Sequence, residues 1–344
     1  MKKKIIIPIV IICIVAIGIC AAIMYNKMQK DPTFLGTDVV EEENNEIIAE
    51  LKTVDIYKGD DRPIAVMIDN NKYAMPQAGL NDAYMVYEII VEGGESRLMP
   101  VFKGISLEKI GPVRSSRHYF LDYALENDAI YVHFGWSPQA ESDISSLGVN
   151  NINGISQSEK DFWRVKDKKA PHNVVTSTSK IIEMAKSKKY RTTSSQSSVL
   201  NYVTEEVNFE EGQIAENISI PYSQSNIVKW QYEPEIQRYA RYSKSEKQKD
   251  WTTGEDVTTK NIIIEFIANS VLNDGENKDR QNLTTTGSKD GYYITNGKAI
   301  KIKCEKTSRS SKTIYKDLEG NEIKVNDGNT FVQICPINAN VTIE

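Results

Sequence analysis

An almost unbroken apolar run from Ile5 to Met24, preceded by Lys2, Lys3 and Lys4, constrains this chain more than any other feature. About twenty residues at 1.5 Å rise match a hydrocarbon core of roughly 30 Å. Lysines in front of such a run stay on the cytoplasmic side. Residues 5–24 are therefore expected to cross the cell membrane, within an anchor of residues 1–28, and everything after Lys30 to lie outside the cytoplasm. Two other readings of the same run stay open. A positive start with an apolar core also fits a cleaved secretory signal, although Ile19, Ile23, Met24 and Tyr25 are bulky where cleavage wants small residues. Cys20 invites lipidation, but Ile19 stands where a small residue is expected before a modified cysteine.

Beyond the run, the pattern predicts an α+β chain in three parts. Residues 29–60, with Glu41, Glu42, Glu43 and Glu46 close together, offer little to bury and read as an acidic tether. Residues 61–190 read as an N-terminal α/β domain. Strands are expected at Pro63 to Ile68, Ala83 to Val91, Leu98 to Ile105 and Ala129 to Phe134, and helices at Tyr119 to Glu126, Pro138 to Leu147 and Thr176 to Lys186. The hydroxyl-rich stretch Lys189 to Ser198 marks a junction, and Gly148 to Gly154, rich in asparagine, reads as a turn. Residues 199–344 carry short strand signals separated by turns such as Asn296-Gly297 and Asp327-Gly328. Such spacing predicts hairpins packed as a small sheet or sandwich, a mostly β C-terminal domain.

A formal net charge of −5 argues against a nucleic-acid binder, which would carry a basic stripe. An anionic ligand would have to be caught locally, by a few arginines. Cys13 and Cys20 lie in the apolar run. Cys304 and Cys335 could pair outside the cytoplasm or remain two buried thiols. No His-Cys cluster suggests zinc, and no Walker loop, dinucleotide fingerprint, GxSxG elbow or SxxK pair is present, so no cofactor is expected.

The chemistry-bearing residues gather between Val91 and Asn173. In GPVRSSRH (Gly111 to His118), Arg114 and Arg117 are three apart at the start of an expected helix, which would place both guanidiniums on one face beside Ser116. Such a pair suits a carboxylate or phosphodiester. The competing reading is that both arginines pair internally with Glu88, Glu92, Glu95 or Asp122. VEGGESR (Val91 to Arg97) sets Glu92 before two glycines, with Arg97 after them. Glu92 could act as a general acid or base with a raised pKa, or sit in an ordinary hairpin paired with arginine. His133 at a strand end could shuttle a proton. His172, in APHN (Ala170 to Asn173), lies with Asn173 in a rigid loop. A two-histidine metal site would need Glu92 or Asp143 as a third ligand, and no supporting spacing exists. Because each residue sits beside a turn-former at an element end, Glu92, Arg97, Arg114, Arg117, His133 and His172 are expected to converge.

These motifs, with RPIAVMIDN (Arg62 to Asn70), PQAGL (Pro76 to Leu80) and the longer YEIIVEGGESR (Tyr87 to Arg97), resemble the YerB-like lipoprotein family, domain of unknown function 3048. The resemblance is dense over Arg62 to Thr178 and looser through WQY (Trp230 to Tyr232), IQRYAR (Ile236 to Arg241) and the closing β segment. It implies a membrane-attached extracytoplasmic protein of Gram-positive type, with an N-terminal α/β and a C-terminal β-rich domain, and no settled activity. This chain departs from the pattern in its degraded lipobox and at Cys304-Glu305-Lys306, where an aromatic residue is expected before a lysine. Three functions follow as expectations. The first is a cell-envelope protein holding an anionic group of a wall polymer or peptide, with Arg97, Arg114, Ser116, Arg117, His172 and Asn173 as ligand contacts. The second is a hydrolase or transferase of envelope glycans or phosphodiesters using Glu92 and His133. The third is a scaffold taking an envelope or sporulation protein partner through its β-rich domain.

Overall fold

A computed structural model of the protein describes residues 53–276 and 278–344. The expected anchor, and the tether up to residue 52, lie outside these residues. Among those described, no helix is long and apolar enough to cross a membrane. The end of the expected tether is not free. The backbone amides of Asp55 and Ile56 donate to the Asp327 carboxylate at 2.7 and 2.9 Å, and Tyr57 stands edge-on to Tyr84 with ring centres 5.0 Å apart.

The chain is mostly β with few helices, built around one twelve-stranded sheet. Along its main path the strands run Gln213–Ile214, Lys298–Lys306, Gly287–Thr295, Asn261–Ile267, Thr330–Pro336, Met85–Ile90, Ser96–Phe102, Ile64–Val66, Ile130–His133 and Asn151–Asn153. Thr330–Pro336 lies in the middle, parallel to both Asn261–Ile267 and Met85–Ile90, with Thr330 opposite Met85 and Ile334 opposite Ile89. The two halves read from the sequence thus share one hydrogen-bonded sheet, and the β-rich half is not a separate sandwich. Six other strands of that half form an antiparallel sheet, Asn217–Ser223, Asn226–Glu233, Arg238–Ser243 and three short segments.

Buried strands need apolar residues on both faces, and Met85–Ile90 is buried throughout. Successive side chains on a strand point to opposite faces, and here that alternation assigns the layers. Tyr87 faces the helix Phe120–Glu126, where its hydroxyl donates to Glu126 Oε1 at 2.7 Å. Glu88 faces the smaller sheet, where Arg241 Nη2 donates to its Oε2 at 2.6 Å. Trp230 of the smaller sheet meets Phe331 of the larger edge-on at 4.8 Å, both rings buried. At about 25 cal/mol per Å² of apolar area, rings of this size dominate the cohesion of the layers.

The helices end where the sequence signals them. Pro138–Ser146 is capped by Ser137, whose Oγ accepts from Ala140 N, and Thr178–Ser187 by Ser177. The asparagine-rich turn proves to be partly strand. Asn151–Asn153 pairs in parallel with Ile130–His133, with Asn153 Oδ1 accepting from the amides of Gly135 and Ile155. Cys304 and Cys335 are both buried and free.

Candidate functional site

The loops beyond the strand ends in the N-terminal half of the large sheet bring most of the candidate residues into a connected polar cluster. Gly93 and Gly94 have φ of +66° and +72°, the left-handed region that glycine enters freely, so the chain turns tightly after Glu92. A Cβ on Gly94 would come within 2.8 Å of Ser223. The turn returns the Glu92 carboxylate over the hairpin. There Arg97 Nη2 meets Oε1 at 3.0 Å and Arg117 Nε donates to Oε2 at 2.8 Å, with a second, shorter bond from Arg117 Nη2. Arg97 Nη1 also donates to the carbonyl of Ser115.

Burial alone would push the Glu92 carboxyl up. The Arg117 hydrogen bonds and the two guanidinium charges instead hold it down at about 2. It is an ionised counter-charge, which fits the reading of a hairpin glutamate paired with arginine and not the alternative of a raised pKa. Arg97 pays for its own burial beside Arg117 with a guanidinium lowered to about 10.

Arg114 and Arg117 are not on one helix face. The segment before Phe120 is held extended by backbone bonds from Arg114 N to Met67 O at 2.8 Å and from Ser116 N to Gly135 O at 2.9 Å. The two guanidiniums therefore diverge, Arg117 to Glu92 and Arg114 to Asp69. Arg114 Nε lies 3.2 Å from Asp69 Oδ2, and the same oxygen accepts from His172 Nδ1 at 2.8 Å. Asp69 stands opposite Arg97 in the sheet register, which joins the two ion-pair groups.

Five of the six residues expected to converge are thus contiguous, and His133 is not among their partners. Its Nδ1 donates to the carbonyl of Gly135 at 2.8 Å and Nε2 lies 3.2 Å from Asn151 Oδ1. The ring is buried between Tyr131 and Trp136. Burial lowers its pKa to about 4, partly offset by those two bonds. A neutral imidazole has one N–H, here given to Gly135 O, and the ring is shut in by Tyr131 and Trp136, so it has no free position from which to move a ligand's proton.

Ser116 is also structural. It is buried, and its Oγ accepts from the Tyr131 hydroxyl at 2.8 Å. Asn173 is buried too, accepting from Arg164 Nη1 at 2.7 Å and donating to Val165 O at 3.1 Å. Asp143, considered as a metal ligand, pairs with Arg309 at 2.6 Å.

Asp69 is the residue that sequence reasoning missed. It ends the short strand Ile68–Asp69 in a segment that reads as a polar turn. Its position is fixed from below. Gln77 Nε2 donates to Asp69 O at 3.0 Å and to Asn70 Oδ1 at 3.1 Å, and Asn70 donates to Glu88 Oε1 at 3.0 Å. Gln77 and Arg241 are both tied to Gln248, so this buried network runs through to the smaller sheet.

His172 opens onto a cleft of about 740 Å³ whose walls include Lys72, Tyr73, Lys168, Lys169 and Trp251. Trp251 comes from a loop of the smaller sheet fastened here by Gly79 N donating to Asp250 Oδ2 at 2.8 Å and Trp251 N to Gln77 O at 2.8 Å. Arg114 is about a quarter exposed. Among the described residues, no hydrogen bond is made by its two terminal nitrogens, so one charged fork remains available to a ligand.

A family model described as protein of unknown function (DUF3048), N-terminal domain, matches residues 50–191, and the corresponding C-terminal domain model matches residues 218–332. The protein named "Putative lipoprotein YerB" from Bacillus subtilis (strain 168) is 30% identical over 286 residues, covering 80% of this chain and 81% of that one. A crystal structure of YerB from Bacillus subtilis superposes with a TM-score of 0.74 at 27% identity, covering 82% of this chain and 94% of that chain. With both family domains present in order and a relative of this identity across most of its length, the chain belongs to the DUF3048 family.

Proposed function

We propose that this is a membrane-attached extracytoplasmic protein of the lipoprotein kind, which binds an anionic group of a cell-envelope polymer or peptide at Arg114 and His172. The name of its relative and the apolar run at residues 5–24 support the location. One observation carries the binding role: Arg114 is paired with Asp69, Nε lying 3.2 Å from Oδ2, and among the described residues its outer nitrogens make no hydrogen bond and keep their hydrogens for a carboxylate or phosphate. Arg97 and Arg117, saturated by Glu92, set the local positive field and do not grip the ligand themselves. Binding is favoured over hydrolysis because both expected proton handlers are committed elsewhere, Glu92 as a strongly ionised partner and His133 as a buried neutral ring.

The test is retention of the full-length protein, in neutral detergent, on purified peptidoglycan carrying its anionic polymers. Arg114→Ala should release it while Asn151→Ala, outside the cluster, should not. Equal retention of Arg114→Ala and the unsubstituted protein would overturn the reading.

A further inference from the structure

The cleft beside His172 carries a second kind of charge. Lys72, Lys109, Lys168 and Lys169 stand on or next to its walls, and none of them forms an ion pair with a carboxylate among the described residues. On a chain with a net charge of −5 that is a local basic excess, four lysines against the single Asp167 on the same walls. Lys109 Nζ and Lys168 Nζ each lie 4.2 Å from the centre of the Trp251 ring, so the two ammoniums are held no more than about twice that distance apart. Lys72 Nζ lies 4.9 Å from the centre of the Tyr73 ring, and Tyr73 stands 5.9 Å from the ring of His172.

An aromatic face offsets part of the repulsion between cations but supplies no counter-charge. Lys168 is kept in place by donating to the carbonyl of Met75 at 2.7 Å. Burial lowers its pKa, the nearby Asp167 offsets part of that, and Lys109 adds a smaller lowering. Like charges gathered this way are relieved by an anion that touches several of them at once. A single carboxylate or phosphate at Arg114 cannot do that, because the lysines are spread along the cleft from the Lys72 turn to the Trp251 loop.

We infer that the cleft between Tyr73, His172 and Trp251 binds a chain of phosphates, with Lys72, Lys109, Lys168 and Lys169 contacting successive groups and Arg114 taking the one at the inner end. Lysine ammoniums are point charges that suit phosphate oxygens met at varied angles, whereas the planar Arg114 fork fixes one group. The inference rests on the proposed anion site, and it adds the ligand class: a polymer with phosphate repeated along its backbone.

The probes are inorganic tripolyphosphate and orthophosphate, titrated calorimetrically into the full-length protein in neutral detergent. Tripolyphosphate should bind more tightly, with an affinity that falls steeply as salt is raised. Lys72→Gln/Lys168→Gln/Lys169→Gln should weaken tripolyphosphate about tenfold or more and leave orthophosphate within about twofold, as expected when several phosphate contacts are removed. Lys168→Gln also cuts the bond to Met75, so the exposed pair Lys72→Gln/Lys169→Gln serves as a second variant with a smaller loss in the same direction.

Equal affinity for the two probes, or unchanged tripolyphosphate binding in both variants, overturns the phosphate-chain inference even if Arg114→Ala abolishes orthophosphate binding. Lysine-dependent tripolyphosphate binding that survives Arg114→Ala overturns the Arg114 reading and keeps the cleft. Vesicles containing phosphatidylglycerol that outcompete tripolyphosphate would identify a membrane surface as the ligand and also overturn the inference.

Discussion

Glu88→Gln is the substitution that asks most of this fold. Glu88 and Arg241 are both fully buried, and Glu88 lies on the central strand Met85–Ile90 while Arg241 belongs to the smaller sheet. Two opposite charges about 4 Å apart attract by about 4 kcal/mol at an effective dielectric of 20. Glutamine keeps an acceptor for Asn70 and Ser96 but turns a donor toward Arg241 or leaves it only Gln248. Arg241 Nε already has no hydrogen-bond partner, so little remains to compensate the guanidinium. Breaking a buried pair from one side costs about 3–5 kcal/mol, a fall in melting temperature on the order of 10 °C for a domain of this size. Urea unfolding of Glu88→Gln, Arg241→Met and the double variant separates the contributions. The double variant, which removes both charges, should lose at least about 2 kcal/mol less than the sum of the singles. Additive losses would refute the claim that the uncompensated charge carries the cost.

Three further outcomes are expected. Burial raises the Glu265 carboxyl to about 7, against an ordinary 4.5, so its contribution to stability falls as pH rises from 4.5 to 7; burial lowers His133 from 6.5 to about 4, so its contribution falls as pH drops through that range. The two oppose each other between pH 4.5 and 6.5, and thermal melts should show Glu265→Gln losing stability on acidification there and His133→Gln gaining it, with identical slopes refuting the assignment. Gly291→Ala should destabilise by about 2–3 kcal/mol in chemical unfolding, because its Cβ would meet Ile264 O at 2.3 Å and Cys304 Sγ at 2.9 Å in a sheet that cannot yield. Gly93→Ala, with nothing within 4 Å but φ +66°, should cost only about 1 kcal/mol.

Periodicity and turn chemistry made the local elements readable. Asn296-Gly297 closes the hairpin between Gly287–Thr295 and Lys298–Lys306, and both turn residues have positive φ, as such a turn demands. Long-range pairing was not readable. Nothing in the apolar alternation of Thr330–Pro336 says that it inserts between Met85–Ile90 and Asn261–Ile267, because a strand buried on both sides carries no mark of its neighbours. Asn151–Asn153 escaped notice because its polar side chains satisfy backbone and His133 at a sheet edge. The candidate site was half legible. Glu92, Arg97 and Arg117 meet, as the internal-pairing reading held, but the helical spacing argument failed for Arg114 because its segment is extended. Asp69 and Trp251 gave no signal, since each acts through a partner far away in sequence.

The insertion of Thr330–Pro336 into the middle of the sheet also governs when the molecule can form. A ribosome delivers Met85–Ile90 long before it makes the strand that pairs with it, as Thr330 lies opposite Met85. Until then Met85–Ile90 presents a bare apolar edge, the kind that pairs with strangers. Contacts of such high sequence separation form slowly, since loop closure must precede any reward. A chain that stops anywhere before Thr330 lacks the strand that covers this edge, so the N-terminal half cannot complete its sheet by itself.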